Sequence, residues 1–393
     1  MKAFKVKIYP NKTQQLMIDG NFGCARFIYN KMIEINQKKY HRTGKSLSGY
    51  DMQAYLPKLK KQYPFLKEVN SQSLQIVCHN LAEAYSRFFQ KKSGYPSFKK
   101  RGVGDSFSVI TNCKLLDNEI KLPKVKKVKF RGGCRPTGKV KRFVVSKDAT
   151  GYYCSILFDE GKKEIALEKV NNLVGVDVGI KDFAICSNKV IIKNPRYTEE
   201  FERKLKKAQQ SLSRKQKGSK KRAQAKTRVA KIHKKISNKR MDFAHKISRQ
   251  IVNSCDNQTA IAIESLTISG MMKNHNLAKS IADCGWSQFG NFLKYKAADV
   301  GKQVIEVGRF YPSSKTCSSC GVVNSDLKLS DRKWTCEGCK SEHDRDFNAS
   351  LNIAMEGART LKAGSVLASG EDISLEIILK NIKESDLCEA DNL

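Results

Sequence analysis

The chain opens with a strict alternation of apolar and basic residues. From residue 4 to residue 8, Phe, Val and Ile alternate with two lysines, and Pro10 follows. A period of two is typical of a β-strand with one buried face, and proline ends such a ladder because it has no N–H to donate. The pattern therefore predicts a first strand that ends before Pro10.

Longer periods follow, and they predict helices. From about Ser71, apolar residues recur every three or four positions, as Leu74, Cys78, Leu81, Tyr85 and Phe88. Three strand-like stretches come next, near residues 120–130, 140–145 and 152–158. Helices flanked by short strands predict a mixed α+β module over residues 1–165.

Two later apolar runs are interrupted by acids. Asp177 lies inside the strand-like run LVGVDVGIKDFAI, whose glycine turn predicts a hairpin, and Glu264 ends the run 261–263. A carboxylate in such a run is costly unless it faces water or a cation. Each acid alone could equally occupy a solvent-facing edge position.

A third acid stands at a predicted helix start. In HDRDFNASLNIAMEG, Asp346 precedes apolar residues that could pack on a sheet, although Asp344 or Asp346 could equally be an N-cap. Three acids at the ends of two strands and one helix suit two Mg²⁺ ions roughly 4 Å apart, because hard carboxylate oxygens favour Mg²⁺. Asp177, Glu264 and Asp346 therefore predict a two-metal phosphodiesterase.

Four of the 13 cysteines form two knuckles. Cys317-x-x-Cys320 is followed, after 15 intervening residues, by Cys336-x-x-Cys339. This spacing predicts one tetrahedral Zn²⁺ site, whereas a redox pair would explain only one knuckle. Four sulfur ligands leave no open position for water, so the zinc is structural. The other nine cysteines are scattered singly and are expected to be small core residues of a protein in a reducing compartment.

The chain carries a large excess of basic residues. Lys and Arg number 74 against 38 Asp and Glu, a formal charge of +36, which predicts a nucleic-acid partner. Residues 203–246 hold 18 basic residues and one acid, Asp242, on a predicted helical hairpin, and residues 121–142 hold ten and none. A merely solvated face would mix both signs, so single-sign strips favour phosphate contacts.

Membrane association is not expected. No stretch approaches the roughly 20 apolar residues of a membrane span, and no apolar signal core stands at the start. We therefore expect a cytoplasmic protein.

The motifs, taken together and in order, resemble those of the TnpB (OrfB) family, transposon-encoded proteins related to type V CRISPR effectors. The resemblance extends to about residue 360 and rests on KIYPN…GCARFIYN, GYPSFKKR, GVDVGIKDFAI, AQQSLSRKQKGS…IHKKISNKR, SIADCGWSQFGNFLKYKA, YPSSKTCSSCG and HDRDFNASLNI. It implies an α+β multidomain fold: a RuvC-type nuclease of RNase H fold with an inserted zinc ribbon, preceded by a β-barrel wedge domain with an inserted helical recognition module.

The expected domain boundaries follow from this resemblance. They are 1–165 for the wedge, with the recognition module at about 11–100; 170–309 for the first part of the nuclease, with the basic hairpin at 196–254; 310–342 for the zinc ribbon; 343–365 for the last part of the nuclease; and 366–393 for a tail expected to lack order.

Residue by residue, the resemblance assigns Asp177, Glu264 and Asp346 to the three catalytic places, with Asp344 as a rival for the third, and the four cysteines to the zinc positions. Ser71, Gln72 and Gln75 are candidates for reading a motif beside the DNA target, since Gln can pair with adenine, although a plain exposed helix face explains them equally well. Further candidate nucleic-acid contacts are Lys99, Lys100, Arg101, Arg214, Lys215, Lys220, Lys221 and Arg222.

The resemblance implies an RNA-guided DNA endonuclease that uses a guide RNA from the transposon end and cleaves double-stranded DNA next to a short motif. Two alternatives stay open. An RNA-guided repressor that does not cut would be expected to lack one of the acids, and a transposase that needs no guide would not copurify with RNA.

Overall fold

The computed structural model describes residues 1–132, 137–161, 170–328, 330–368 and 375–387. The chain divides into two compact units, Met1–Lys163 and Glu164–Leu393. Within the described ranges, no helix is both long and apolar enough to cross a membrane.

The first unit combines helices with an antiparallel sheet. Its elements are β1 (Lys2–Tyr9), α1 (Lys12–Thr43), α2 (Gly49–Ala54), α3 (Leu56–Gln62), a 3₁₀ turn (Pro64–Lys67), α4 (Ser71–Phe89), β2 (Ser106–Val109), β3 (Lys114–Leu115), β4 (Glu119–Leu122), β5 (Lys126–Arg131), β6 (Lys139–Asp148) and β7 (Gly151–Asp159). The predicted first strand and the helix from Ser71 are confirmed.

Local chemistry explains the start of α1. Asn11 accepts a hydrogen bond from the backbone N–H of Gln14, whose side chain accepts one from the backbone N–H of Asn11 in return. This capping box satisfies N–H groups that have no partner inside the helix. The helix then buries residues such as Ile18, Ile28 and Met32 in the core of the unit.

The sheet runs in the order β2-β6-β7-β1-β5-β4-β3. β2 and β3 are its edges among the described residues, so the barrel implied by the resemblance stays a prediction. The stretch 120–130 forms two strands rather than one. β4 and β5 pair antiparallel around a turn in which Lys124 and Lys126 adopt positive φ.

The second unit is built on a mixed sheet. Its elements are β8 (Asn172–Val178), β9 (Asp182–Cys186), β10 (Ile191–Lys193), α5 (Tyr197–Ser213), α6 (Lys220–Ser254), β11 (Thr259–Glu264), α7 (Ile268–Met271), α8 (Ala278–Cys284), α9 (Trp286–Ala298), β12 (Val304–Val307), β13 (Lys333–Thr335), β14 (Glu342–Asp344), α10 (Arg345–Ala368) and α11 (Leu375–Leu387). The larger sheet runs β10-β9-β8-β11-β12, in which β11 lies parallel to both β8 and β12.

Helix α10 lies very close to β8. A Cβ on Gly175 would stand 2.0 Å from the carbonyl oxygen of Ser350 and 2.5 Å from the amide nitrogen of Ala354. Only glycine permits this approach, because any side chain would collide with helix backbone. Gly175 precedes Asp177 by two residues, so the contact also fixes the distance between Asp177 and the helix that carries Asp346.

Two predictions of secondary structure have different outcomes. The basic helical hairpin is confirmed as α5 and α6. The tail is expected to be poorly ordered or loosely docked. Part of it forms α11, in which Ile378 and Ile382 are buried against the core that includes Leu173 and Ile353. Residues 369–374 and 388–393 of the tail lie outside the described residues.

Candidate active site

Asp177 and Glu264 stand side by side. Val176 in β8 is paired with Ile263 in the parallel strand β11, and each acid is the next residue along its strand. Adjacent strands lie about 4.8 Å apart, so the two carboxylates project from neighbouring positions at the same end of the sheet. Glu264 also accepts a 2.5 Å hydrogen bond from the hydroxyl of Ser313.

Asp344 and Asp346 have different roles at the start of α10. The Asp344 carboxylate accepts hydrogen bonds from the backbone N–H groups of Asp346 and Phe347, at 3.1 and 3.0 Å. This is the N-cap arrangement. The Asp346 carboxylate instead forms a 2.7 Å ion pair with Arg332. Capping therefore occupies Asp344, and Asp346 is the acid of the pair that faces outward from the cap.

The three acids interact electrostatically. Burial first, and then the negative charges of Glu264 and Asp346, raise the pKa of Asp177 to about 8, and Arg345 opposes this only in part. A carboxyl with such a pKa carries a proton at neutral pH unless a cation stands beside it. The surplus of negative charge and the hard oxygen donors fit Mg²⁺.

The carboxylate oxygens of the three acids are not as close together as the ligand atoms of the cysteine cluster. Within the described residues, Cys317, Cys320, Cys336 and Cys339 are the one group of His, Cys, Asp or Glu in which ligand atoms all lie within 4.8 Å of one another. Asp346 is held by Arg332, and the acids repel one another. The structure thus brings Asp177, Glu264 and Asp346 to one region without closing them into a cluster.

The cysteine cluster, in contrast, has the dimensions of a zinc site. The sulfur atoms of Cys317 and Cys339 lie 3.6 Å apart, as do those of Cys320 and Cys336. Four Zn–S bonds of about 2.3 Å in a tetrahedron place the sulfurs about 3.8 Å apart. The four residues therefore fit one Zn²⁺ with little movement.

Neighbouring groups favour the thiolate form that zinc requires at Cys339, whereas contacts with the other three cysteines help to raise the pKa of Cys320 to about 12. The thiol of Cys339 donates a 3.3 Å hydrogen bond to the Ser341 hydroxyl oxygen, and the side chain and backbone N–H of Ser341 lower the pKa of Cys339 to about 6. His343 lies 3.0 Å, Nε2 to sulfur, from Cys317 and packs on Trp334. A hydrogen bond from a ring N–H would stabilise a thiolate in the same way.

Sequence reasoning missed Ser313, Arg332 and His343. Each contacts a predicted ligand, Glu264, Asp346 or Cys317. His343 pairs with Trp334 across the small β13–β14 ribbon, and Arg332 immediately precedes β13. Their position in the short segments around the second knuckle was the available signal, whereas nothing in the sequence marks Ser313.

The candidate readers on α4 are not equivalent. The amide oxygen of Gln72 accepts hydrogen bonds from the backbone N–H groups of Ile110 and Thr111 and from the Thr111 hydroxyl, so it secures an internal loop. Ser71 accepts a 2.6 Å hydrogen bond from Lys60. Gln75 is exposed. Gln75 is therefore the member of the three best placed to meet a base.

The predicted basic nucleic-acid contacts also differ in their exposure and in their contacts within the protein. Lys100, Arg101, Arg214, Lys215, Lys220 and Lys221 are exposed. The Lys99 ammonium lies over the ring of Tyr29, 4.2 Å from its centre. Arg222 donates to the carbonyl oxygens of Leu212 and Lys215 and thereby closes the turn between α5 and α6. The loop of the hairpin presents the other four basic residues of this group together.

Three family models match the chain. OrfB_IS605, described as "Probable transposase", matches residues 156–275; the "Cas12f1-like, TNB domain" matches residues 286–353; and the "Helix-turn-helix domain" of OrfB_IS605 matches residues 1–45. The second of these ranges contains the cysteine cluster and Asp346.

Full-length relatives extend this match. The chain is 33% identical over 375 residues to a protein of Streptomyces pristinaespiralis named "Putative RNA-guided DNA endonuclease", covering 92% of this chain and 91% of that one. It is 30% identical to "Putative RNA-guided DNA endonuclease InsQ" of Escherichia coli (strain K12), covering 96% and 97%. Among solved structures, a Cas12f1 chain in a complex with sgRNA and target DNA has a similar fold, with a TM-score of 0.56, 15% identity and coverage of 86% and 81%. The chain belongs to the TnpB family, which is related to type V effectors.

Proposed function

We propose that this protein is an RNA-guided DNA endonuclease that hydrolyses phosphodiester bonds with Asp177, Glu264 and Asp346. The observation that carries the proposal is the raised pKa of Asp177 beside two further acids at one end of the sheet. Such a site is unfavourable for folding without a cation, and a nuclease needs such a site. The names of the two full-length relatives support the same activity.

The chain's own residues would act as follows. Asp177, Glu264 and Asp346 would hold Mg²⁺, which when bound neutralises the phosphate and lowers the pKa of water. Asp177 would lose its proton in this role, because a cation beside it stabilises the carboxylate form that burial disfavours. Ser313 orients Glu264 by donating to one of its oxygens, and Arg332 holds Asp346 from the opposite side.

We further propose that the second unit is a RuvC-type nuclease with a zinc ribbon at 310–342, and that the first unit is the wedge domain with its helical recognition module. The strand order β10-β9-β8-β11-β12, in which β8, β9 and β10 pair antiparallel and β11 lies parallel to both β8 and β12, supports the first assignment. The S–S distances of the four cysteines support a structural Zn²⁺.

Partners are proposed from charge and from the relatives. A formal charge of +36 requires a polyanion, and we propose a guide RNA from the transposon end together with double-stranded target DNA. The exposed loop of the α5–α6 hairpin and the exposed Lys100 and Arg101 offer phosphate contacts. Exposed Gln75 on α4 offers a base contact.

One experiment tests the proposal as a whole. The protein is expressed with the transposon-end sequence beside its gene, the copurifying RNA is sequenced, and a plasmid that matches this RNA is offered in Mg²⁺. We expect one enriched RNA species and cutting at the matched site, with no cutting by Asp177→Asn. A protein that binds the matched plasmid without cutting is a repressor, and one that acts without RNA is a transposase; either outcome would overturn the proposal.

A further inference from the structure

The zinc knuckle and the acids are joined by two buried asparagines. Asn348 and Asn352 lie on α10, four residues apart, and are 1% and 0% exposed. Both follow Asp346 on the same helix. Their side chains point toward the segment that contains Ser313, Thr316 and the first knuckle.

Asn348 uses both ends of its amide on the knuckle. Its oxygen accepts a 2.9 Å hydrogen bond from the backbone N–H of Ser318, and its nitrogen donates a 2.7 Å hydrogen bond to the carbonyl oxygen of Thr316. Thr316 and Ser318 flank Cys317. Helix α10, which carries Asp346, therefore forms hydrogen bonds to the backbone on both sides of Cys317.

Asn352 extends the connection to the second acid. Its nitrogen donates to the carbonyl oxygens of Ser313, at 2.8 Å, and Thr316, at 2.6 Å. The hydroxyl of the same Ser313 donates to Glu264. One continuous chain of hydrogen bonds thus runs from the cysteine cluster through Asn352 to Glu264, and through the backbone of α10 to Asp346.

The energetics indicate that stability alone does not explain Asn352. Its amide oxygen is buried and has no hydrogen-bond partner among the described residues. A buried acceptor in that state is destabilising, and an apolar residue of similar size would avoid this cost. The asparagine keeps instead the two N–H donors that fix Ser313 and Thr316.

We propose that Asn348, Asn352 and Ser313 are positioning residues, through which the zinc-bound knuckle sets the places of Glu264 and Asp346. The inference rests on the proposed nuclease site but goes beyond it, since it assigns the ribbon to the alignment of two acids rather than to a separate function. Acids that repel one another must be held in place by other residues. The hydrogen bonds of Asn348, Asn352 and Ser313 connect both Glu264 and Asp346 to the first cysteine knuckle.

The test uses substitutions that keep side-chain shape. Asn352→Asp replaces two donors by acceptors that face carbonyl oxygens, and Ser313→Ala removes only the bond to Glu264. Asn324→Asp is the matched control, because it makes the same change in the ribbon, where the Asn324 side chain only accepts a hydrogen bond from the N–H of Asp326. Three quantities are measured on the RNA-loaded protein: zinc content, Mn²⁺ affinity by electron paramagnetic resonance, and cutting rate.

We expect Asn352→Asp and Ser313→Ala to weaken Mn²⁺ binding and to slow cutting about tenfold or more, with zinc retained in Ser313→Ala and target binding unchanged. In the double variant, the fold-loss of Mn²⁺ affinity should be smaller than the product of the two single fold-losses, because both substitutions break the same chain of hydrogen bonds to Glu264. Asn324→Asp should match the parent. Parent-like Mn²⁺ affinity in Ser313→Ala and Asn352→Asp would overturn the inference, as would losses that multiply independently. Cutting by Asp177→Asn would instead overturn the nuclease assignment, and the Mn²⁺ measurement would still decide the inference.

Discussion

The two proposed metal-binding regions of the second unit differ in how far the polypeptide alone assembles them. The four cysteines already have ligand atoms within 4.8 Å of one another, whereas the three acids do not form such a group. Thiols are mostly neutral near pH 7 and can gather without a cation, whereas ionised carboxylates repel one another. Burial first, and then the charges of Glu264 and Asp346, raise the pKa of Asp177. The difference indicates that the fold alone assembles the proposed zinc site, whereas the proposed site of the three acids also needs its cation and substrate.

The largest effect should come from removing one acid. Asp177→Asn, Glu264→Gln and Asp346→Asn keep the shape of each side chain but remove a charged ligand, and each should slow guided cutting about 1,000-fold or more while target binding persists. Single-turnover cutting and gel-shift binding measure the two properties. Asp344→Asn is the control, because asparagine can also cap α10. If Asp344→Asn stops cutting and Asp346→Asn does not, the wrong acid has been assigned.

Breaking the cysteine site should have the next largest effect. Cys317→Ser should lower zinc content and slow cutting about 100-fold, because loosening the knuckle by about 1 Å moves the start of α10. Guide RNA binding should change little. Elemental analysis and cutting rates on the same samples check this. A zinc-free variant that cuts at the parent rate would show that the two regions are independent.

The pH dependence of stability tests the raised pKa of Asp177 without any substrate. The pKa of Asp177 rises from 3.8 to about 8 on folding, so the folded protein binds the extra proton, and stability is lost as pH rises through this window. Without divalent ions, the stability of Asp177→Asn should match that of the parent below about pH 4 and exceed it at pH 8 by on the order of 5 kcal/mol, because one pKa unit corresponds to about 1.4 kcal/mol. Thermal unfolding across pH measures this. An equal pH dependence in both proteins would contradict the cause given for the raised pKa.

The smallest effect should come from Gln75, which lies in the first unit, away from both metal-binding regions in sequence. Gln75→Ala should relax the choice of about one base beside the target, worth roughly 1–3 kcal/mol. Lys220→Ala and Lys221→Ala should weaken binding of all sequences alike, because phosphate contacts do not read bases. Cutting of a library with randomised flanks separates the two. Identical base preferences for parent and Gln75→Ala would remove Gln75 as a reader.

Patterns local in sequence predicted the structure best. The alternation at residues 4–8, the helix from Ser71 and the basic hairpin follow from periodicity, and the knuckle spacing follows from the geometry of one ion. The choice between Asp344 and Asp346 needed the structure, because either residue can cap a helix and only hydrogen bonds show which one does.

Contacts between distant segments could not be predicted in this way. Asn348 and Asn352 are polar residues four apart that alternate with the apolar residues Ala349, Leu351 and Ile353, which signals a buried polar role but not its partner. Ser313 acts through a residue 49 positions away. The buried α11 was missed because its apolar patch is short and lies among polar residues, so its burial depends on the core that β8 and α10 provide.

The most direct test of the account is single-turnover cutting of a guide-matched plasmid by the RNA-loaded protein that retains zinc but is free of Mg²⁺. We predict no cutting until Mg²⁺ is added, rapid cutting afterwards, and no cutting by Asp177→Asn at any Mg²⁺ concentration. Cutting before Mg²⁺ is added, or by Asp177→Asn, would contradict the claim that these acids form a cation-dependent nuclease centre.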